Sequence, residues 1–289
     1  MQLDIFADSQ EVTLQNAAVV ALVEGNLDAG RAALTRLRAN YGDNAALPQL
    51  AGLQAENEAL VTLLTALPGM AALHDAVSRI EQIVLPTLPR ILGEAGTTRW
   101  RRRTFLTLAN AGAGLPFSRN AALGHAGYTY LRADELDKAR EAIKAIASWR
   151  GMPEPLAWMT EIALQKAAEE AYWPLLAELA WMSPSALKCS SLMQAMPSPL
   201  ARLYRAFLRD QWGDAPAWFP AWALIEQPDL ASHMRLTEFR SQSPAASATR
   251  VLLDLTIGER GGLTPHIIEQ RKRLRDIDAP LFELYMQRR

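Results

Sequence analysis

The chain has 289 residues, 30 basic and 31 acidic, with a formal net charge of −1 and a single cysteine, Cys189. A balanced chain sets up no global field for nucleic acid or an anionic membrane, so any such contact has to be local. One cysteine excludes an internal disulfide framework and fits a reducing compartment, and the length permits a sizeable core in one large domain or two ordinary ones. The first residues show no basic stretch followed by an apolar one, as a secretory signal would. The longest apolar run near the start, Ala17 to Val23, is too short to span a bilayer. The expectation is a soluble cytoplasmic protein that makes no membrane contact.

Residues 2–6 read Gln-Leu-Asp-Ile-Phe and put three large apolar side chains at one end of the chain. Asp8 then reads as an N-cap, with Glu11 completing a capping box. Leu14, Ala17, Ala18, Ala21 and Leu22 follow at the spacing of one helix face. Glu24-Gly25-Asn26 breaks that helix. A second helix shows Gly30, Ala33, Leu34, Leu37 and Tyr41 on one face before Gly42-Asp43-Asn44 stops it. So short a break predicts an antiparallel helix pair. Residues 46–67, 70–92 and 98–112 read as further helices, the second kinked or ended by Pro86 and Pro89.

The helix–break–helix pattern recurs from Leu123 to Trp149 around Ala133-Asp134, and from Leu156 to Met182 up to Ser183-Pro184. It appears again from Val251 to Arg275 around Gly261-Gly262. No stretch alternates with period two between turn signals, so almost no strand is expected. Segments 183–199 and 241–248 have the Ser- and Pro-rich composition of loops. Each is a candidate seam, but helices resume on both sides, and the reading is surface loops within one helical-repeat domain covering 1–289. Between them, Pro216 to Trp222 is too interrupted by proline for a long helix and predicts a short one whose tryptophans plug the core. There are eight tryptophans in all; such side chains serve mainly to fill cores, and secondarily as interface anchors.

Leu123, Ala126, Gly127, Tyr130, Ala139, Ile143 and Ile146 resemble the spacing of a tetratricopeptide repeat. In that family small residues sit where the two helices of a repeat touch, and large ones fill the gap to the next repeat. Leu14, Ala17, Ala18, Ala21, Gly30, Leu34 and Leu37 fall at the same relative positions. Later units depart from the pattern: Tyr172 stands where a small residue belongs, although Leu176, Leu179 and Pro184 agree, and Lys272 occupies an apolar slot. The resemblance implies an all-α fold of antiparallel helix pairs, stacked as a tetratricopeptide-like α-solenoid or closed into a compact globule. It also implies that the surface binds another protein or peptide.

The search for chemistry yields no catalytic signature. No glycine-rich loop follows a strand, so phosphate cradles of the dinucleotide and P-loop kinds are absent, and Gly112-Ala113-Gly114 reads as a helix end. His74, His125, His233 and His266 are far apart and form no metal-ligand motif. Cys189 has no histidine close in sequence to activate it. Glu169-Glu170 and Asp134-Glu135 read as solvated helix ends rather than acid–base pairs. The expectation is a protein that is not an enzyme and holds neither metal nor cofactor.

Two basic clusters stand out. Arg99, Arg101, Arg102 and Arg103 surround Trp100, and Arg271, Lys272, Arg273 and Arg275 lie near the C-terminus. Such clusters could hold phosphates, with an aromatic stacking a base; the plainer reading is a charged helix face whose long stems cover apolar neighbours. Gln2, Leu3, Asp4, Ile5 and Phe6 resemble the pentapeptide by which bacterial replication and repair proteins bind the sliding DNA clamp, with Ile5 in place of the usual leucine. The resemblance implies an extended peptide whose Leu3 and Phe6 enter an apolar pocket while Gln2 fixes the register. The alternative is that Leu3, Ile5 and Phe6 pack on the first helix pair and seal its end. The reading as a whole is a non-enzymatic adaptor, tethered to the clamp in its sharper version. Its alternative is a nucleic-acid-binding protein using the two arginine clusters.

Overall fold

The computed structural model describes residues 5–258 and 264–289, with side chains from residue 10 onward. Fifteen α-helices joined by short 3-10 turns, and no strand, make up these described residues. They fall into two compact units, residues 1–147 and 148–289. Segments 183–199 and 241–248 both lie inside the second unit.

In the first unit, α1 (Ile5–Glu24) packs on α2 (Leu27–Asn40) through most of the small and aliphatic face read from the sequence, although Ala17 is exposed and Leu14 half-buried. Ala18, Leu22, Leu34 and Leu37 are buried. The reversal between them works because Gly25 takes the left-handed conformation, φ 73°. The Asn26 side chain then accepts from Ala29 N at 3.0 Å and starts α2. α1 begins at Ile5, one turn before the expected Asp8 cap, so Asp8 stands inside the helix. The Asn44 side chain accepts from Ala46 N just ahead of α3 (Leu47–Thr65), whose first turn carries Pro48.

α4 (Met70–Arg79) does not end cleanly. It passes through a π turn (Ile80–Val84) and a 3-10 turn (Leu85–Thr87) into α5 (Leu88–Gly112). Pro86 cannot donate to the carbonyl four residues back and would collide with it, so the coil widens ahead of the ring. The interruption expected from Pro86 and Pro89 is therefore a change of helical register. The true break in direction is Gly93, φ 66° and ψ 173°, inside α5, and the helix expected over 98–112 is the larger part of this longer one. A pair of short helices, α6 (Ala126–Arg132) and α7 (Leu136–Lys144), completes the unit. Gly127 lies against α7 so closely that a Cβ there would stand 2.7 Å from Ile143 Cγ1. That close approach is what the small residue at this position predicts.

In the second unit α8 (Pro153–Gln165) packs on α9 (Glu169–Met182), turning through Ala167 at φ 51°. The supposed loop 183–199 is mostly helical: a 3-10 turn (Pro184–Lys188), α10 (Ser190–Ala195) and the start of α11 (Ser198–Phe207). Serine and proline there act as helix starts, since proline fits a first turn that needs no N–H. Pro216 to Trp222 forms a 3-10 turn leading into α12 (Phe219–Glu226), as expected of a short helix. Phe219 and Trp222 are core residues, whereas Trp218 is only half-buried. Rings from α9, α11 and α12 make that core: Trp173 and Tyr204 lie 5.9 and 4.9 Å from Phe219, and Phe207 lies 5.6 Å from Trp222. α13 (Pro244–Gly258) begins within the expected loop 241–248, again on a proline. It packs on α14 (Pro265–Ile277), and α15 (Ala279–Gln287) follows. The break expected at Gly261-Gly262 lies outside the described residues.

Candidate functional site: an apolar cleft between α3 and α4

Consecutive helices joined by a short connection normally pack closely on each other, but α3 and α4 make their main contacts with other elements. α3 lies against α1, α2 and α5, whereas α4 is seated on the 3-10 turn Arg119–Gly124. That seat depends on Gly124, where a Cβ would come within 2.5 Å of Met70 O and 2.8 Å of His74 N. His74 Nδ1 accepts from Leu123 N at 3.3 Å and holds the same turn.

The space left between α3 and α4 is a cleft of about 360 Å³. Glu56, Ala59, Leu60 and Leu63 form one wall and Ala72, Asp75, Ala76, Arg79 and Ile80 the other, with Trp100 reaching it from α5. Both walls follow the i, i+3, i+4, i+7 rule, so each shows a single helix face roughly 10 Å long. Three alanines where larger residues would have closed the gap keep it open. The volume lies at the low end of the range for ligand pockets, about 300–1,000 Å³.

The charge in the cleft is sparse and specific. Arg79 pairs with Glu56 from wall to wall, while Asp75 is exposed and has no cation partner among the described residues. The connection above the walls carries Leu67, 89% exposed and held at φ 51°. An exposed leucine in the left-handed region is unfavourable on two counts, solvation and backbone strain.

The arginines around Trp100 are committed elsewhere. Trp100 is 1% exposed, and its Nε1 donates to Asn57 Oδ1 at 3.0 Å. Its ring is core, so it cannot stack a base. Arg103 donates from Nη1 to the carbonyls of Leu22 and Val23, at 3.0 and 2.6 Å, and so caps the last turn of α1. Its Nη2 reaches Asn57 Oδ1 at 3.2 Å, and burial holds its pKa below the usual guanidinium range. Arg101 and Arg102 pair with Asp134 and Glu135 at the α6–α7 turn, at 3.0 and 2.9 Å. Only Arg99 is exposed with no ion pair among the described residues. In the second cluster Arg271 lies over the Tyr285 ring at 5.9 Å, while Lys272, Arg273 and Arg275 point into solvent around the buried Leu274.

Of the pentapeptide, Gln2, Leu3 and Asp4 lie outside the described residues, and the backbone of Ile5 and Phe6 forms the start of α1. Along α1, Glu11 accepts from Asn44 at the start of α3, and Leu22 O accepts from Asn57 further along. The first turn of α1 therefore sits at the end of α3 remote from the cleft. Among the described residues no group of three or more His, Cys, Asp or Glu side chains is placed to hold a metal ion. None of the described helices is long and apolar enough to cross a membrane. Compared with protein-family models, curated proteins and solved structures, the chain matches none of them.

Proposed function

We propose that this chain is a non-enzymatic adaptor whose first unit receives an amphipathic helical segment of another protein in the α3/α4 cleft. The observation that supports the reading is the cleft itself: two helix faces kept apart by alanines and lined mainly by apolar atoms. A guest helix sets its ridges between helical walls as a packed neighbour would. It needs large apolar side chains one turn apart to fill the space beside Ala59, Ala72 and Ala76, and a lysine or arginine to meet Asp75.

The test uses a panel of short fluorescent helical peptides with leucine at i and i+4 and one lysine, titrated with the full chain. The expected result is saturable binding that Ala76→Phe abolishes by filling the cleft, while thermal stability is kept. Binding that survives Ala76→Phe unchanged removes the cleft from the proposal. Tethering to a bacterial sliding clamp through residues 2–6 is the sharper form of the same reading. It requires the first turn of α1 to unwind into an extended strand, a small cost at a helix end. Recovery on immobilised clamp should fall sharply for Leu3→Ala/Phe6→Ala; equal recovery would discard the tether.

A further inference from the structure

A further cationic surface without carboxylate partners lies outside both clusters singled out by the sequence. Between Glu178 and Asp210 the chain carries no acidic residue at all, while Lys188, Arg202, Arg205 and Arg209 fall in that interval. Arg202 and Arg205 stand one turn apart on α11, and Arg209 follows in the turn that closes it. The three side chains line a shallow depression of about 590 Å³. All three are exposed, and none has a carboxylate partner among the described residues. Several arginines elsewhere do find one: Arg31, Arg79, Arg101, Arg102, Arg150 and Arg240 all sit in ion pairs.

The platform beneath is rigid. Leu203, Tyr204 and Phe207, on the opposite side of α11, are buried, with Phe207 held edge-on to Phe219 and Trp222. Arg205 Nε is spent on Ala201 O at 3.1 Å, which fixes the stem and leaves the two terminal nitrogens for a ligand. The nearest acid in sequence, Asp210, is turned to other work: its carboxylate accepts from Trp222 Nε1 at 2.9 Å and from Gln211 N at 2.7 Å. Three like charges thus stand along one edge with no carboxylate in ion-pair contact among the described residues, an arrangement that suits an anion.

We propose that this edge binds the phosphodiester backbone of nucleic acid, without reading its bases. Guanidinium forks match phosphate oxygens in pairs. A protein interface is centred on apolar side chains, whereas the described residues that line this depression are three arginines. A base-reading surface would need an aromatic platform, and the α11 rings face inward. The inference is independent of the adaptor reading, since it concerns the second unit alone.

The test is fluorescence anisotropy of the full chain with a labelled oligonucleotide, single-stranded and duplex in separate arms, across a salt series. Neutralising three phosphate contacts gives a log–log salt slope of about −2 on a single strand or about −2.7 on a duplex, from roughly 0.7 and 0.9 per contact. Arg202→Gln/Arg205→Gln/Arg209→Gln should remove that slope, and each single substitution about a third of it, with the helical circular dichroism spectrum unchanged. Arg271→Gln/Lys272→Gln/Arg273→Gln should leave it in place. The proposal is overturned if no oligonucleotide binds at low salt, if the α11 variants bind as the parent does, or if polyglutamate binds more tightly than either oligonucleotide.

Discussion

Asn57 joins three elements of the first unit through one buried amide, and replacing it with leucine tests how much the unit depends on that join. Its Nδ2 donates to Leu22 O at 3.1 Å, and its Oδ1 accepts from Trp100 Nε1 at 3.0 Å and Arg103 Nη2 at 3.2 Å. Asn57 and Trp100 are 3% and 1% exposed, so water cannot stand in for what is lost. Leu22 O keeps its bond from Arg103, and Arg103 keeps both carbonyls; the indole N–H is left without an acceptor. An orphaned buried donor costs about 1–3 kcal/mol and the lost bonds to Leu22 and Arg103 add to it, so Asn57→Leu should destabilise the unit by about 2–4 kcal/mol. At roughly 3 °C per kcal/mol for a unit of this size, that is a fall of about 6–12 °C in Tm by scanning calorimetry. Adding Trp100→Phe removes the orphan, so the double variant should be less unstable than the sum of the singles by about 1 kcal/mol. A single variant within about 0.5 kcal/mol of the parent would refute the account of this join.

Three further outcomes follow from the same geometry. His125 is buried and caps α6 through Nδ1, which accepts from Gly127 N at 3.1 Å, and burial holds its pKa below the ordinary histidine value. Its contribution is therefore complete above the unfolded pKa of about 6.5 and is lost as pH falls through the lower folded value. Unfolding free energies from denaturant titrations should drop on acidification by up to about 1 kcal/mol, the worth of a helix cap, and His125→Asn should flatten that part of the profile. Glu178 is buried against Arg150, whose Nε and Nη2 each donate at 2.6 Å. Desolvation raises the carboxyl pKa and Arg150 opposes the rise. Arg150→Met should cost about 3–5 kcal/mol near neutral pH and less as the pH is lowered and the abandoned carboxyl, its pKa raised by burial, takes a proton; an equal loss at neutral and acidic pH counts against it. Leu67→Asn, which tolerates the left-handed backbone, should raise stability by about 0.5–1 kcal/mol; an unchanged Tm counts against strain at this position.

The local half of this fold was legible in the sequence. Periodicity and turn chemistry placed α1, α2, α6 and α7 because the signals that start and stop them lie within a few residues. Six of the eight tryptophans are buried, as large aromatics should be. What stayed hidden was set by partners distant in sequence. The charges that occupy Arg101 and Arg102 are Asp134 and Glu135, which the sequence showed only as a solvated helix end. Trp100 looked like an aromatic among cations because nothing local said which face of α5 would point to Asn57. The loops expected over 183–199 and 241–248 were misjudged for a different reason. Serine and proline mark the start of a short helix as readily as a turn. The cleft had no local signal at all, since it lies between two helices whose closest packing is with other elements. The α11 arginines were missed for want of adjacency: a face spaced at three and four residues does not read as a run of charge.

Because α4 leans on the 119–124 turn rather than on its neighbour in the chain, the width of the gap it borders is governed from behind. Gly124 is the backstop. Any side chain placed there must push Met70 and His74 forward, carrying Ala72, Ala76 and Arg79 with them. Substitutions at a glycine that never meets the guest would then tune how large a residue the gap admits.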